Sequence, residues 1–334
     1  EQTFDFPQKE FNITNSDLFF HDIDLIQLVE NYGTPLKFTY LPKISENIKL
    51  AKKWFNRAIK KQGYKGNYHY SYCTKSSHFK YVLEEALKND IHIETSSAFD
   101  IDIVKSLKKE GKLNEETYVL CNGFKREQYI TNIIDLINGG HKNCIVIIDN
   151  YEELNLILKS TKSKFKVGIR IASEEEPKFE FYTSRLGIGY KNIVSFYKRE
   201  IENNSQVELK MLHFFINTGI KDNAYYWNEL LKCITLYIEL KKICPTLDSL
   251  NIGGGFPIKN SLAFAFDYEY MIEEIIHQIQ TACEEAKVEV PDIFTEFGSF
   301  TVGESGGAIY EVLYQKKQND RERWNIINSS FITT

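Results

Sequence analysis

The sequence predicts an α/β barrel of the TIM type, either alone or with part of a second domain. Three observations carry the prediction. From about residue 46 onward, short β-branched or aromatic runs alternate with longer amphipathic runs. The 334 residues suit one large barrel or a barrel with part of another domain. Reactive side chains or glycines recur where the short runs end, which is where barrels of this kind build their sites.

In chain order the strands are read as Tyr68 to Thr74, Ile91 to Thr95, Thr117 to Cys121, Cys144 to Ile148, Lys166 to Ile171, Glu208 to Phe215, Ser249 to Ile252 and Ile293 to Glu296. Most are rich in Val, Ile, Thr or aromatic residues, which fit a pleated and largely buried surface. Between them apolar residues recur at helical spacing, as in Phe79 to Leu87, Tyr151 to Leu158 and Tyr270 to Ile276. Asp149 or Asn150 can cap the second of these helices.

Apolar residues make up 43% of the chain, enough for a packed core, and the net charge of −5 offers no footprint for nucleic acid or an anionic membrane. The six cysteines, Cys73, Cys121, Cys144, Cys233, Cys244 and Cys283, form no CxxC pair and no zinc-type spacing with the seven histidines. They read as reduced, mostly buried thiols of a cytoplasmic protein. No apolar stretch approaches the roughly 20 residues that span a bilayer. The opening Glu1 to Asp5 is not a signal peptide, and the absent initiator Met reads as a trimmed start.

The strand exits carry, in turn, Lys75, Glu94, Asn122, Asp149, Arg170, Phe215 to Thr218, Gly253-Gly254-Gly255 and Glu296. A lysine at a strand end is ordinarily a solvated charge, but an amine there can also hold an aldehyde cofactor as a Schiff base. In Asn251-Ile-Gly-Gly-Gly-Phe256 the glycines let backbone N–H groups converge on a phosphate with no Cβ in the way. A tight turn would use the same glycines; their place after the seventh strand, where such barrels bind phosphate, favours the phosphate. Glu296, next to Phe297-Gly298, either caps or ion-pairs at the surface or meets the N–H of a pyridinium ring and keeps that ring electron-withdrawing. Arg170 and Glu94 form either an ion pair in the barrel mouth or direct contacts with a cofactor. His213 precedes Phe214-Phe215 on an apolar strand and reads as a hydrogen-bonded core histidine. No Ser/His/Asp arrangement, HExxH or Walker sequence is present.

With these residues in this order, the chain resembles the pyridoxal-phosphate decarboxylases of the alanine racemase barrel type, which act on ornithine, diaminopimelate and arginine. Tyr72-Cys-Thr-Lys75 matches the family's Tyr-x-x-Lys strand end, and Glu94-Thr-Ser-Ser97 its acidic residue and serine. Tyr32-Gly-Thr-Pro-Leu36 followed by Leu41-Pro-Lys-Ile44 looks like its entry segment, and Gly253 to Gly255 like its phosphate loop. Val119 to Lys125 with Tyr129-Ile130, and Ala282-Cys-Glu-Glu285 leading to Thr295-Glu296, look most like biosynthetic arginine decarboxylases. The resemblance covers roughly residues 30 to 334.

It implies pyridoxal 5'-phosphate as cofactor, carried by Lys75 and surrounded by Glu94, Arg170, Phe215, Thr218, Gly253, Gly254, Gly255, Glu296 and Ser299, with Lys75 and Glu296 catalytic and no metal. The implied reaction is decarboxylation of a basic amino acid, first L-arginine to agmatine and CO2 in polyamine biosynthesis. Ornithine, diaminopimelate and carboxynorspermidine are the other substrates it allows. A homodimer or higher homo-oligomer is implied, with no nucleic-acid or membrane partner. Residues 1–45 become an N-terminal arm joining a β domain, 46–300 the barrel, and 301–334 the first strands of a C-terminal β domain broken in mid-strand. That domain would supply a proton-donating cysteine, a tyrosine on the phosphate and acidic residues for the substrate tail, so the natural chain is expected to run on.

Two departures bear on the site. Where the family reads His-x-Gly-Ser after the sixth strand, this chain has Phe215-Ile-Asn217-Thr218; a phenyl ring still stacks on a pyridine face, but without charge. Where it reads Glu-x-Gly-Arg at the last strand, this chain has Glu296-Phe-Gly-Ser299, which removes a guanidinium from the phosphate. Two rival readings follow: a non-catalytic relative that has lost the cofactor, and a barrel enzyme acting on a phosphorylated substrate. The second explains the glycines but not Lys75 and Glu296 together.

Overall fold

In the computed structural model, residues 10–174, 184–216, 219–220, 223–259 and 264–330 are described. Contacts divide the chain into two units: Ile44–Pro257 with Phe266–Val302, and Glu1–Lys43 with Ile258–Ala265 and Gly303–Thr334.

The first unit is a closed barrel of eight parallel strands: β1 (Tyr68–Cys73), β2 (His92–Thr95), β3 (Val119–Cys121), β4 (Cys144–Ile148), β5 (Phe165–Ala172), β6 (Val207–Phe214), β7 (Ser249–Asn251) and β8 (Asp292–Phe297). Neighbours follow chain order, β4 pairs with β5, and β8 returns to β1, so that no edge is left open. These are the strands read from the sequence, with no end displaced by more than two residues. Both faces of most strands are buried, which explains why they appear as near-continuous apolar runs.

Helices Lys80–Leu87, Tyr151–Ser160 and Tyr268–Ala286 cover the three helical patterns. Of the two capping candidates Asn150 takes the role, its side chain accepting from the N–H groups of Glu152 and Glu153. Asp149 instead accepts the Gly187 N–H at 2.9 Å.

Because side chains alternate along each strand, one set fills the barrel interior. Leu120, Ile145, Ile147, Met211 and Phe294 form its apolar middle. Below them lies a polar chain of fixed direction. The Tyr118 N–H donates to His92 Nδ1 at 3.1 Å, so His92 carries its proton on Nε2 and donates to His69 Nδ1 at 2.9 Å. His69 Nε2 then donates to Asp292 at 3.3 Å. All six cysteines are buried and free.

In the second unit, strand Leu36–Thr39 pairs antiparallel with Gly306–Ile309, Phe11–Thr14, Asp17–Phe20 and Ile23–Asp24 form a small sheet, and Val312–Lys317 forms a hairpin with Arg323–Ile327. Among the described residues, no helix is long and apolar enough to cross a membrane.

Candidate active site

The carboxyl ends of β8, β1 and β2 lie side by side and bring three ionisable groups together. Register sets Cys73 of β1 opposite Glu94 of β2, and Ser71 opposite Glu296 of β8. After β1 the chain turns through Thr74–Ser76, and Thr74 Oγ1 anchors the turn by donating to the Glu94 carbonyl at 3.1 Å. Lys75 Nζ is thereby held 3.8 Å from Glu94 Oε2 and 5.8 Å from the centre of the Phe215 ring. Burial disfavours the Lys75 ammonium, but Glu94, Cys73 and Glu296 outweigh it, so its pKa lies above the ordinary lysine value.

Glu94 is completely buried; the Cys73 thiol donates towards its carboxylate, and no nitrogen or hydroxyl donates to either oxygen. Burial and the neighbouring Glu296 carboxylate push its pKa up to about 7, against the pull of Lys75. A carboxylate so placed exchanges a proton near neutral pH, beside an amine.

Glu296 is held by two carboxamides. Asn251 Nδ2 donates to Oε1 at 2.8 Å, and Asn122 Nδ2 lies 3.3 Å from Oε2. The orientation of Asn122 follows from its other contacts: Oδ1 accepts the Gly123 N–H at 2.8 Å and Arg170 Nη1 at 3.4 Å, which turns the amide nitrogen towards Glu296 and His213. His213 Nε2 therefore accepts from Asn122 at 3.2 Å, and Nδ1 donates to the Asn251 carbonyl at 3.4 Å. Burial lowers the His213 pKa to about 4, so this ring is neutral although Glu296 lies 3.7 Å away.

An ion pair between Arg170 and Glu94 was one reading of the sequence, and it is not formed. Arg170 on β5 is in register with His213 on β6 and reaches Asn122 on β3, whereas Glu94 on β2 faces Lys75. Burial lowers the Arg170 pKa, opposed by Glu296, Asp149 and Glu94.

The glycine loop follows β7. Gly253 and Gly255 have φ of +68° and +87°, and a Cβ at Gly253 would lie 2.7 Å from the Phe214 carbonyl oxygen. At Gly254 a Cβ would collide with the Glu296 carbonyl oxygen. The Glu296 N–H donates to the Gly253 carbonyl at 2.9 Å, joining loop and carboxylate-bearing strand. Thr218, with Asn217, lies outside the described residues. Ser299 is exposed at the start of the short helix Ser299–Val302.

Lys75, Glu94, Phe215, Gly253 to Gly255 and Glu296 thus gather around one mouth, with Arg170 on its far wall. Sequence reasoning gave Asn122 and Asn251 no task and left Cys73 among the buried thiols, although its sulfur and oxygens of Glu94 and Glu296 all lie within 4.8 Å of one another. The one available signal was an amide placed among apolar strand residues.

Residues 43–303 match the family described as pyridoxal-dependent decarboxylase, pyridoxal binding domain. The chain belongs to this family. Among curated proteins it is similar to biosynthetic arginine decarboxylase 2 of Synechocystis sp., 25% identical over 322 residues covering 87% of this chain and 49% of that protein. The biosynthetic arginine decarboxylase of Prochlorococcus marinus strain MIT 9215 is 25% identical, over 93% of this chain and 52% of that protein. The chain therefore spans about half the length of the curated relatives it matches. In fold it is similar to the biosynthetic arginine decarboxylase of Campylobacter jejuni, with TM-score 0.74, 22% identity and coverage of 93% and 54% of the two chains. Diaminopimelate decarboxylase from M. jannaschii gives TM-score 0.80 at 20% identity, over 96% of this chain and 73% of that one.

The residues present fit pyridoxal phosphate. It needs an amine, an anion cradle and an acid for its ring nitrogen; the mouth offers Lys75, a loop with no room for Cβ atoms at Gly253 and Gly254, and Glu296. Glu94 adds a buried carboxylate 3.8 Å from the amine.

Proposed function

We propose that this chain is the cofactor-binding part of an enzyme that removes CO2 from a basic amino acid, with L-arginine as substrate and agmatine as product. The observation that carries the reading is the adjacency of Lys75, Glu94 and Glu296 on three neighbouring strand ends beside the glycine loop. The names of the relatives support arginine over ornithine, diaminopimelate or carboxynorspermidine.

In this reading Lys75 Nζ would hold the cofactor through its aldehyde carbon, the aldehyde oxygen leaving as water, and Glu94 Oε2, 3.8 Å away, would take up the proton that the ammonium must lose. Pyridoxal phosphate, when bound, supplies the electron sink for the pair left behind as CO2 departs. Glu296, fixed by Asn251 and Asn122, holds the ring-nitrogen proton in place. Phe215 packs against the ring, Gly254 and Gly255 receive the phosphate through backbone N–H groups while Gly253, its own N–H held by Asn251, sets the turn, and Thr218 and Ser299 stand in the order of the family's remaining phosphate contacts. Arg170, through Asn122, fixes the far side of the Glu296 carboxamide clamp.

A cytoplasmic homodimer or higher homo-oligomer belongs to the same proposal. It is supported by the large aromatic side chains left exposed after β1, β2 and β3, namely Phe79, Phe99 and Phe124.

The test is borohydride reduction of the protein with pyridoxal phosphate followed by peptide mapping and, on a separate unreduced sample, CO2 release from arginine, ornithine and diaminopimelate. Expected are a label on Lys75 and release from arginine, both abolished in Lys75→Ala. A label elsewhere, or release unchanged in that variant, sinks the proposal; faster release from another amino acid corrects the substrate.

A further inference from the structure

We infer that Asn251 is a positioning residue that sets both ends of the cofactor site with one side chain. The inference rests on the proposed cofactor reading and goes beyond it, because it assigns to a residue that touches no reacting atom the task of coupling the phosphate loop to the ring acid. The carboxamide of Asn251 faces two ways. Its Oδ1 accepts the N–H of Gly253 at 2.9 Å, and its Nδ2 donates to Glu296 Oε1 at 2.8 Å. Donor and acceptor are fixed by these partners, since a backbone N–H only donates and a carboxylate oxygen only accepts.

The Gly253 end matters because this residue turns the chain at φ +68° against the Phe214 carbonyl. A hydrogen bond from its N–H back to Asn251 holds that turn open while the following residues cross the Glu296 backbone. The Glu296 end matters because Asn251 makes the shorter of the two carboxamide contacts to that carboxylate. Asn251 is fully buried, and register places it beside His213 of β6 and Phe294 of β8. Its backbone carbonyl, in turn, accepts from His213 Nδ1. Leaving either partner unmatched in this interior is costly.

A purely structural asparagine and a coupling asparagine differ in what they control. Loss of a structural contact lowers stability and cofactor affinity without preference. Loss of the coupling changes two separable properties: the preference for a phosphate-bearing cofactor, read at the loop, and the titration of the ring nitrogen, read at Glu296.

The experiment measures both on purified holoprotein. The first readout is the affinity ratio of pyridoxal phosphate to pyridoxal. The second is the pH midpoint of the ring-nitrogen signal, followed by NMR with cofactor labelled with nitrogen-15 in the ring. Gly255→Ala, whose added Cβ meets Gly219 and not Glu296, is expected to move the first only and Glu296→Gln the second only, and they calibrate the two readouts. Asn251→Ala is expected to lower the ratio by about three- to tenfold, the scale of one lost backbone hydrogen bond, and also to shift the midpoint. Asn251→Asp keeps an oxygen for Gly253 but replaces the fixed amide donor by a second carboxyl that must share a proton with Glu296, so it should keep the ratio and shift the midpoint, and it serves as the second variant should the alanine protein fold poorly. A change in one readout only for Asn251→Ala, or in neither, overturns the inference, as does an Asn251→Asp protein whose ratio falls with that of Asn251→Ala. Failure of the wild type to bind pyridoxal phosphate would bring down the cofactor reading, and this inference with it; normal wild-type binding with an inert Asn251 brings down this inference alone.

Discussion

Glu94 occupies a place that stability alone would not choose. It is buried with no nitrogen or hydroxyl donor, next to another carboxylate, and its pKa is raised to about 7. An acid whose folded pKa exceeds its unfolded value binds more protons when folded, so it costs stability as pH rises through the interval from 4.5 to about 7. Replacing it by an uncharged isostere removes that cost. Glu94→Gln is therefore expected to stabilise the cofactor-free protein by about 1–3 kcal/mol at pH 8, measured by urea unfolding, while slowing capture of the cofactor by Lys75. A variant no more stable than wild type would show that Lys75 already compensates the charge. At this scale the sequence was informative where chemistry has a distinctive side chain. Lys75 and Glu296 could be picked out because an amine and an acid at strand ends have few uses. Asn122 and Asn251 could not, because a carboxamide acquires its role from partners on other strands. For Arg170 both alternatives were open, and only the path of its side chain across the barrel decided against Glu94.

Between residue and barrel, the loop after β3 and the first turn of the helix after β4 are joined by a buried ion pair. Lys125 and Glu153 are both shielded from solvent, with Nζ 3.3 Å from the carboxylate and also donating to the carbonyls of Gly123 and Ile147. Glu153 receives in addition the N–H groups of Lys125 and Asp149. Burial lowers the Lys125 pKa and Glu153 opposes it, so the lysine depends on its partner to remain charged. Glu153→Ala should cost about 3–5 kcal/mol, the usual penalty for stranding one member of a buried pair. Calorimetric melting checks it, and a loss below about 1 kcal/mol, the scale of an exposed pair, would mean that water reaches the site. Because Asn122 and Gly123 lie in the same loop, the variant should also loosen the grip on Glu296. The alternation of runs made β3, β4 and the helix Tyr151–Ser160 legible in advance. It gave no hint of this pair, since Lys125 and Glu153 look like ordinary surface charges until the loop and the helix are folded against each other.

Across the whole barrel, His92 and His213 are neutral groups, with pKa values lowered to about 3 and about 4 by burial. For each, the unfolded chain binds a proton first, so stability is complete above pH 6.5 and is lost as pH falls from there towards the folded values. Glu94 acts in the opposite sense over part of this range. The clean measurement is therefore unfolding free energy against pH in the Glu94→Gln background, where His92→Gln should flatten the slope between pH 6.5 and about 4.5, above the range of ordinary carboxylates. An unchanged slope would place the acid sensitivity elsewhere. The architecture was readable as a whole because eight repeats of one pattern reinforce each other even where a strand as short as Ser249–Asn251 is weak by itself. The pairing of β8 with β1 has a consequence in time as well as in space. Lys75 and Glu94 are made early in the chain and Glu296 late, so the three meet only when the last strand closes the ring. A nascent or partly refolded chain can hold seven strands and still have no site, which makes capture of the cofactor a signal that folding of the barrel is complete.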